Sequence, residues 1–375
     1  MDLQEIRNQL DGIDGQLVKL FEERMRLCGQ VAEFKIETGK AVYDGRREQE
    51  KLQSVRDMVQ GEFNRQAVEE LFTQLMTISR KRQYQLLAEH GKVMETGFRQ
   101  VEDLRLQGAR VVYQGVEGAY SHEAALRFFG EEASLYHVPS WEEAMVEVEE
   151  GRADFAVLPI ENSSAGAVTN NYDLLIKHKN FIVAEIQLAV NHALLGLPGA
   201  KLSDVKSVFS HPQALMQCSK YLNSHKDWRQ ISVENTAVAA KKITRDGLAS
   251  QAAVASETAG RLYGLQVLAY PINHNRDNTT RFMILSREAV YCRDANKISI
   301  CFEAVHKSGS LYNMLGNFIY NNVNMLRIES RPIEGKSWEY RFFVDAEGSL
   351  SQPAVQNALK GICEEAASLR ILGCY

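Results

Sequence analysis

The sequence predicts a multidomain protein with an all-helical domain, an α/β domain and a ferredoxin-like βαββαβ domain. Apolar residues recur at helical spacing through residues 1–90, which contain no proline. From Ala109, short β-rich runs alternate with helical stretches, as in βαβ units. Residues 296–375 show strand and helix patterns in the order βαββαβ. Residues 91–108 are polar and are predicted to form a linker or a connecting helix.

Length and composition exclude several classes of protein. A chain of 375 residues suits two or three domains, and a formal net charge of −5 is unlike that of nucleic-acid-binding proteins. No apolar stretch approaches the ~20 residues that span a bilayer, and the polar N-terminus does not resemble a signal peptide. The six cysteines form no CxxC pair, and the nine histidines show no ligand spacing. We expect a cytoplasmic protein with reduced thiols, no metal and no cofactor.

Three long helices are predicted in the first domain. The first begins at Leu3 and continues to about Ile36, and the others cover about 45–59, capped by Asp44, and about 64–89. A helix of about 35 residues would be roughly 50 Å long. It cannot bury its apolar stripe within a domain of this size, so we predict an intertwined dimer.

Charged residues on the first helix predict a site shared between two chains. Arg24 and Lys35 are separated by nearly three whole turns and lie on one face. Arg7 lies about 25 Å from Arg24 along the helix axis, too far for one small molecule to touch both. In an antiparallel dimer, Arg7 of one chain would reach the site of the other.

Polar residues at helical spacing continue in the next two helices. Asp44, Arg47 and Glu48 share a face of the second helix, and Ser79 and Gln83 form an i, i+4 pair on the third. With the stretch IRNQLDGIDGQLVKLFEERMRL, these positions resemble the all-helical chorismate mutases.

That resemblance implies a role for each polar position. It implies that the carboxylates of chorismate bind Arg7, Arg24 and Arg47, and that Asp44 and Ser79 also bind substrate. It implies further that Lys35 and Gln83 donate to the ether oxygen and that Glu48 accepts from the ring hydroxyl. These residue types suit a pericyclic rearrangement, which needs a held conformer and stabilised charge. The alternative is a charge-laced helical hairpin that serves only dimerisation.

Polar motifs follow strand patterns in the α/β domain. They are Tyr113–His122, Leu158–Gly166 and Asn278–Leu285. Glycines after a strand let backbone N–H groups face an anion, and open α/β sheets bind ligands at the carboxyl ends of strands. Tight turns, a helix N-cap by Asn162 or Ser163, and a structural Thr–Arg pair would also explain these motifs locally.

Together with Ser210–Cys218, the motifs resemble prephenate dehydratase over residues 109–287. The resemblance implies a two-lobed α/β fold like that of periplasmic binding proteins, with 109–185 and 276–287 in one lobe and 186–275 in the other. It implies that Thr280 donates to the departing hydroxyl of prephenate, that Arg281 anchors the site, and that the pocket is lined by Glu161, Asn162, Ser163, Ser164 and Gln217. His211 is left open, as a proton donor or a structural turn residue.

The βαββαβ unit resembles an ACT domain, a small-molecule sensor, through Ser308–Leu311 and Glu329–Pro332. The resemblance implies that L-phenylalanine binds as an effector, with its carboxylate at the glycine-led helix start. The expected effector-binding residues are Gly309, Ser310, Leu311, Asn322, Asn324, Glu329, Ser330 and Arg331. Ser310 and Tyr312 depart from the small or aliphatic residues common in the family. The alternative is a dimerisation domain without a ligand.

The order of the three resemblances is that of the bifunctional chorismate mutase/prephenate dehydratases. The expected partners are chorismate and prephenate as substrates and L-phenylalanine as allosteric effector, in a homodimer or homotetramer. Nucleic acid and membranes are not expected as partners. A fusion with prephenate dehydrogenase would need a dinucleotide fingerprint, which the sequence lacks. A two-lobed solute-binding protein would not carry a mutase domain.

Overall fold

The computed structural model describes residues 2–91, 94–307 and 309–375. The chain divides into two compact units, residues 1–96 with 296–371 and residues 97–295 with 372–375. Residues 92–93 of the predicted linker and Ser308 of the predicted effector loop lie outside the described residues. No helix within the described ranges is long and apolar enough to cross a membrane.

Three helices open the first unit, as the sequence predicts. They are α1 (Leu3–Thr38), α2 (Gly45–Asp57) and α3 (Glu62–Glu89). Asp2 and Glu5 form a capping box at the start of α1, and Gly39 ends it in the left-handed conformation that glycine tolerates best. The Asp44 carboxylate accepts from the backbone N–H of Arg47 at 3.0 Å, so the predicted cap of α2 is confirmed.

The apolar stripe of α1 is exposed in the single chain. Leu10 is 52% exposed and Leu20 is 67% exposed, and large apolar side chains remain exposed from Leu3 to Phe34. Ala32 is the buried residue of this helix. A stripe of this length is what the predicted intertwined dimer would cover.

The second unit is built from two lobes, each with its own sheet. In chain order, the first lobe contains β1 (Arg99–Val101), β2 (Arg110–Gln114), α4 (Tyr120–Phe129), β3 (Ser134–Val138), α5 (Trp141–Glu149), β4 (Phe155–Asn162), β5 (Gly166–Ala167), α6 (Thr169–Lys177) and β6 (Phe181–Ala189). The second lobe contains β7 (Ala193–Gly196), β8 (Ser207–Ser210), α7 (Pro212–Gln217), α8 (Ser219–Leu222), β9 (Arg229–Ser232), α9 (Thr236–Asp246), β10 (Gln251–Ala255), α10 (Glu257–Leu262) and β11 (Gln266–Ala269). The chain then returns to the first lobe as β12 (Thr279–Ser286) and β13 (Val290–Cys292).

Strands of the first lobe neighbour one another in the order β6-β12-β4-β2-β3. β2 runs parallel to β3 and β4, whereas β12 runs antiparallel to β4 and β6. Tyr113, Val157 and Ile284 belong to the buried core of this lobe. Because β12 lies beside β4, Thr280 stands opposite Asn162, which brings two of the predicted motifs together.

The second lobe has the strand order β11-β7-β10-β8-β9, with apolar clusters around Leu195 and Leu194 on its two faces. The chain leaves the first sheet after Ala189, where β6 still pairs with Thr279, rather than near residue 186. Two crossings join the lobes, so the predicted two-lobed α/β fold is confirmed.

The predicted linker contains a strand. Residues 99–101 form β1, which pairs in parallel with β13 from Arg99 opposite Val290 to Val101 opposite Cys292. The connecting helix considered for this segment is therefore wrong at these residues. Pairing with a strand from far along the chain determines this local structure, and local pattern does not reveal such a partner.

The last domain has the predicted βαββαβ order. Its elements are β14 (Lys297–Glu303), α11 (Ser310–Tyr320), β15 (Met325–Pro332), β16 (Tyr340–Glu347), α12 (Pro353–Glu365) and β17 (Ser368–Cys374). The strand order β15-β16-β14-β17 is that of a ferredoxin-like sheet. α12 packs against α11 and, within the same unit, against α3 of the helical domain.

Candidate active sites and effector site

The first candidate site lies among the N-terminal helices, where polar side chains join α1 to α3. Arg24 Nη1 donates to the carbonyl oxygen of Leu75 at 3.1 Å and to the Ser79 hydroxyl. Further along α1, Lys35 Nζ donates to the carbonyl oxygen of Val42 at 2.6 Å. The structure thus brings the predicted residues Arg24 and Ser79 into contact.

The Lys35 ammonium is partly buried among carboxylates. Burial lowers the pKa of Lys35, while the charges of Asp44, Glu364 and Glu48 oppose the shift. The predicted residues Lys35, Asp44 and Glu48 therefore lie within electrostatic reach of one another. An ammonium in this environment is a hydrogen-bond donor that loses its charge more readily in base than an exposed lysine does.

Glu48 meets a buried arginine that was not among the predicted residues. Arg80 is 7% exposed, and its Nη1 donates to Glu48 Oε1 at 2.6 Å. Its Nη2 donates to Glu365 Oε1 at 2.7 Å, on α12. The i, i+3 relation of Arg80 to Gln83 was a usable signal in the sequence. Nothing local pointed to Glu365, which is 285 residues away along the chain.

The remaining predicted mutase residues, Gln83, Arg47 and Arg7, differ in how far they are buried. Gln83 is buried, and its Oε1 has no hydrogen-bond partner within the part of the chain that the structure describes. Arg47 is exposed, with Nη1 3.8 Å from a Glu50 carboxylate oxygen. Arg7 is exposed on the first turns of α1, about 25 Å along the axis from Arg24. One chain does not bring Arg7 into the cluster.

The second candidate site is a cavity of ≈ 680 Å³ lined by residues of both lobes. Among the predicted residues, it takes in Asn162, Gln217, Thr280 and His211. The predicted pocket residues Glu161, Ser163 and Ser164 and the predicted anchor Arg281 do not line it.

Asn162 leaves the hydrogen of the Thr280 hydroxyl free to be donated. Asn162 Oδ1 accepts from the backbone N–H groups of Ser164 at 3.0 Å and Ala165 at 2.9 Å. Because a backbone N–H can only donate, the Asn162 amide nitrogen must face the other way. That nitrogen donates to Thr280 Oγ1 at 2.9 Å. The Thr280 hydroxyl accepts this bond and can donate its own hydrogen to a bound molecule.

The same network extends into the second lobe. Asn162 Nδ2 donates to Asn278 Oδ1 at 2.8 Å, and Asn278 Nδ2 donates to Gln217 Oε1 at 3.2 Å. His192 Nε2 lies 3.0 Å from the same Gln217 oxygen, and the Tyr120 hydroxyl lies 3.0 Å from His192 Nδ1. Burial lowers the pKa of His192, although its bond to Gln217 opposes the shift, so a neutral ring donates through Nε2.

Three of these network residues were not predicted. Tyr120 and Asn278 stand inside motifs that the sequence singled out, so their positions carried a signal. His192 follows β6 with no distinctive neighbours, and it gains its place only because the chain crosses between the lobes there.

Arg281 lies on the opposite face of β12 from Thr280, because successive strand residues alternate. Its guanidinium contacts Glu185 Oε2 at 3.1 Å and Glu161 Oε2 at 3.3 Å. These ion pairs tie β12 to both of its neighbours. Glu161 is therefore a partner of Arg281 across the strands.

Ser163 and Ser164 connect the turn after β4 to the start of β12 and to the segment that precedes it. The Ser163 hydroxyl oxygen accepts from the backbone N–H of Thr279 at 2.9 Å. The Ser164 hydroxyl oxygen accepts from Asn275 Nδ2 at 3.0 Å. Both serines hold the loop that carries Asn162.

His211 caps the short helix α7 at the cavity. Its Nδ1 accepts from the backbone N–H of Gln213 at 3.2 Å. Burial lowers the pKa of His211. An unprotonated Nδ1 is what this cap requires, so the contact favours the structural reading of His211 over that of a proton donor.

The predicted effector residues fall at opposite ends of α11. Gly309 precedes the helix with a φ of 78°, and Ser310 and Leu311 line a cavity of ≈ 360 Å³. Asn322 and Asn324 follow the helix and line a different cavity of ≈ 460 Å³. A helix of 11 residues is about 16 Å long, so one amino acid cannot touch both ends in one chain.

The remaining effector residues lie on β15. Glu329 Oε2 is 3.3 Å from Arg327 Nη2, and Arg331 shares the face of the strand with both. Ser330 is exposed on the other face, beside Ile328, which is 45% exposed. β15 stands at the end of the domain's strand order and offers a surface for a second chain.

Comparison with known proteins covers both candidate active sites. Residues 6–84 match the family described as chorismate mutase type II, and residues 111–290 match the family described as prephenate dehydratase. The bifunctional chorismate mutase/prephenate dehydratase of Escherichia coli (strain K12) is 32% identical over 99% of this chain and 95% of its own. Arogenate dehydratase/prephenate dehydratase 1, chloroplastic, of Arabidopsis thaliana is 41% identical over 71% of each chain. A prephenate dehydratase from Arthrobacter aurescens, solved in complex with L-Phe, has a TM-score of 0.66 at 29% identity over 71% of this chain and 89% of its own.

The fold and the sites define a multidomain enzyme with a helical catalytic domain, a two-lobed α/β catalytic domain and a ferredoxin-like domain. It combines an isomerase and a carbon–oxygen lyase in one chain. The chain belongs to the bifunctional chorismate mutase/prephenate dehydratase family.

Proposed function

We propose that the chain converts chorismate to phenylpyruvate in two steps, with the residue roles given below. The helical domain rearranges chorismate to prephenate, and the two-lobed domain removes carbon dioxide and the ring hydroxyl from prephenate. The observation that carries the second step is the Thr280 hydroxyl, oriented by Asn162 at 2.9 Å in the cavity that both lobes line.

In the first step, the domain binds a reactive conformer and stabilises charge on the breaking ether bond. Lys35 and Gln83 donate to the ether oxygen, and Glu48 accepts from the ring hydroxyl. The carboxylates bind Arg24 and Arg47 of one chain and Arg7 of the other. The hydrogen bond between Arg24 and Ser79, two of the residues to which substrate binding is assigned, supports this proposal.

In the second step, Thr280 donates a hydrogen bond to the departing ring hydroxyl, the ring C–O bond breaks, and the hydroxide takes up a proton from solvent and leaves as water. The bond from the ring to its carboxylate breaks, carbon dioxide leaves, and the electron pair completes the aromatic ring. Aromatisation drives the reaction, so a hydroxyl donor held in place is sufficient. Asn162 and Gln217 orient the site, and Arg281 positions β12 through Glu161 and Glu185. The turn after β4 is held by Ser163 and Ser164.

We propose a homodimer or homotetramer with the mutase site shared between chains. The exposed stripe of α1 and the distance between Arg7 and Arg24 support this assembly. The exposed length of α1 leaves room for the α1 helix of a second chain to pack antiparallel to it. In that arrangement, Arg7 of the second chain would lie close to Arg24 of the first.

We propose that L-phenylalanine binds the ACT domain as a feedback inhibitor. The prephenate dehydratase from Arthrobacter aurescens was solved with L-Phe, and its structure is similar to 71% of this chain. Gly309–Leu311 of one chain and Asn322 and Asn324 of another would meet the ligand from two sides. Glu329, Ser330 and Arg331 line the strand beside it.

We propose that the enzyme is cytoplasmic, that the mutase domain ends near residue 90 and that the ACT domain begins at residue 296. The dehydratase domain extends beyond its predicted limits of 109–287, because β1 and β13 pair with each other. All six cysteines, each within the described residues, are free thiols, which suits a reducing compartment.

One assay tests the proposed function. Chorismate is added to the whole chain without any cofactor, and phenylpyruvate is measured by its absorbance in base. We expect phenylpyruvate from chorismate and from prephenate. If phenylpyruvate forms from prephenate but not from chorismate, the mutase step is contradicted. If chorismate yields prephenate that accumulates without forming phenylpyruvate, the dehydratase step is contradicted. Arogenate, which the name of the Arabidopsis relative mentions, is tested in the same assay as a second candidate substrate.

A further inference from the structure

We propose that Arg80 and Glu365 are positioning residues of the mutase reaction, so that the last helix of the ACT domain holds the mutase carboxylate Glu48 in place. The proposal rests on the proposed role of Glu48. It assigns to the C-terminal domain a direct part in the geometry of the mutase site, separate from any effector binding.

Arg80 joins the two carboxylates through different nitrogens of one planar group. Its Nη1 donates to Glu48 Oε1 at 2.6 Å, and its Nη2 donates to Glu365 Oε1 at 2.7 Å. Nη2 also donates to Thr77 Oγ1 at 3.2 Å. A guanidinium is rigid and always charged, so a carboxylate bound at one edge affects the orientation of a carboxylate bound at the other.

A second contact from α12 reinforces the first. The Tyr84 hydroxyl donates to Glu364 Oε2, one turn along α3 from Arg80. Glu364 also acts electrostatically on Lys35, the proposed donor to the ether oxygen. Adjacent glutamates at the end of α12 thus interact with two cations of the mutase domain, Arg80 and Lys35.

Burial makes these contacts sensitive to loss of a partner. The side chains of Arg80, Glu48 and Glu365 are 9%, 23% and 16% exposed. Burial raises the pKa of Glu365, and the charge of Arg80 opposes that rise. A buried ion pair adds little stability compared with apolar packing, but removing one member leaves the other charge uncompensated. A geometric role for the cluster explains its position beside the proposed catalytic residues.

The test is Glu365→Gln in the full chain, with both activities measured. We expect the mutase kcat/KM to fall about tenfold, the factor for one lost charge-assisted hydrogen bond, with part of the loss in the KM for chorismate. The dehydratase rate with added prephenate is expected to stay unchanged. Glu334→Gln, at an exposed glutamate of the same domain, is the matched control and is expected to behave like the parent.

A double-mutant cycle separates positioning from folding. Because Glu365 acts through Arg80, adding Glu365→Gln to Arg80→Met is expected to cause no further loss. The double variant removes the charges of Arg80 and Glu365 together but leaves Glu48 without its arginine. The dehydratase rate is therefore measured in every variant, as the report of folded chain.

Several results would overturn the proposal. The first is an unchanged mutase kcat/KM in Glu365→Gln, and the second is a fall in kcat of that variant with the parental KM. The third is a loss of kcat/KM on adding Glu365→Gln to Arg80→Met that equals the loss it causes in the parent. A parent chain without mutase activity would instead contradict the proposed function of Glu48.

Discussion

At the scale of single residues, hydrogen-bond direction decides which groups can act on a substrate. Asn162 is held by two backbone donors, so its nitrogen must point at Thr280. The Thr280 hydroxyl then has a hydrogen to give. Arg281, its neighbour in sequence, points to the other face of the sheet and contacts two glutamates.

Replacing Thr280 is expected to separate the two activities. Thr280→Ala should lower phenylpyruvate formation about 100-fold or more, the range for one positioned proton donor. Prephenate formation from chorismate should stay at the parental rate, because Thr280 lies in the other catalytic domain. Thr280→Ser keeps the hydroxyl and should retain most activity. A Thr280→Ala enzyme that dehydrates prephenate at the parental rate would remove Thr280 from the mechanism.

The mutase rate is expected to fall in base through Lys35. The protonated amine is the proposed donor, and burial lowers its pKa below the ordinary value of 10.5, against the opposing charges of Asp44, Glu364, Glu48 and Cys28. The active form exists below the lowered pKa, so activity should fall as pH rises through it. The pH profile of kcat/KM checks this, with circular dichroism as the control for unfolding. An alkaline limb at 10.5 or above would contradict the shift.

At the scale of elements, α1 is the helix whose apolar face and polar site residues most clearly require a second chain. Its length separates Arg7 from Arg24 by about 25 Å, and its apolar stripe is exposed. A second α1 packed antiparallel would resolve both features, because it would cover the stripe and supply an arginine near the site.

Mixing two inactive variants tests the shared site. Arg7→Ala and Arg24→Ala homodimers should each lose about 100-fold or more of mutase activity, since each site then lacks one clamp on the substrate. Random reassortment should restore about a quarter of parental activity, because half of the dimers are mixed and each mixed dimer has one intact site. Dehydratase activity reports equal amounts of folded chain. Mixtures as inactive as their components would indicate that each chain contains its whole mutase site.

Helix and strand periodicity made most elements predictable. The three N-terminal helices and the βαββαβ order follow from repeating apolar positions, which depend only on local spacing. Residues 99–101 were not predictable in this way, because β1 forms against β13 and has little apolar pattern of its own. The crossing after Ala189 likewise depends on how far β6 pairs with β12.

At the scale of the whole molecule, the proposed effector site depends on the association of two chains. Predicted effector residues stand at both ends of α11, about 16 Å apart, and line two different cavities. One ligand can contact both groups only if two chains contribute. Effector binding and assembly are then linked equilibria, and phenylalanine must bind one state of the protein more tightly than the other.

Phenylalanine is therefore expected to change both rate and association. Millimolar phenylalanine should lower the dehydratase rate several-fold and stabilise the larger assembly in light scattering. Asn324→Ala should weaken both effects and leave the uninhibited rate unchanged. Equal dehydratase rates with and without phenylalanine would refute the regulatory proposal.

The sequence by itself determined the class of each domain and the motifs that carry Thr280, Asn162, Lys35 and Glu48. Helical and strand spacing are local properties, and motif residues adjacent in sequence remain adjacent in space. Only the tertiary structure decided that Arg80 joins Glu48 to Glu365, that His192 meets Gln217, and that Arg281 faces away from the cavity. Those contacts arise from the packing of elements far apart in the chain, which no local pattern encodes.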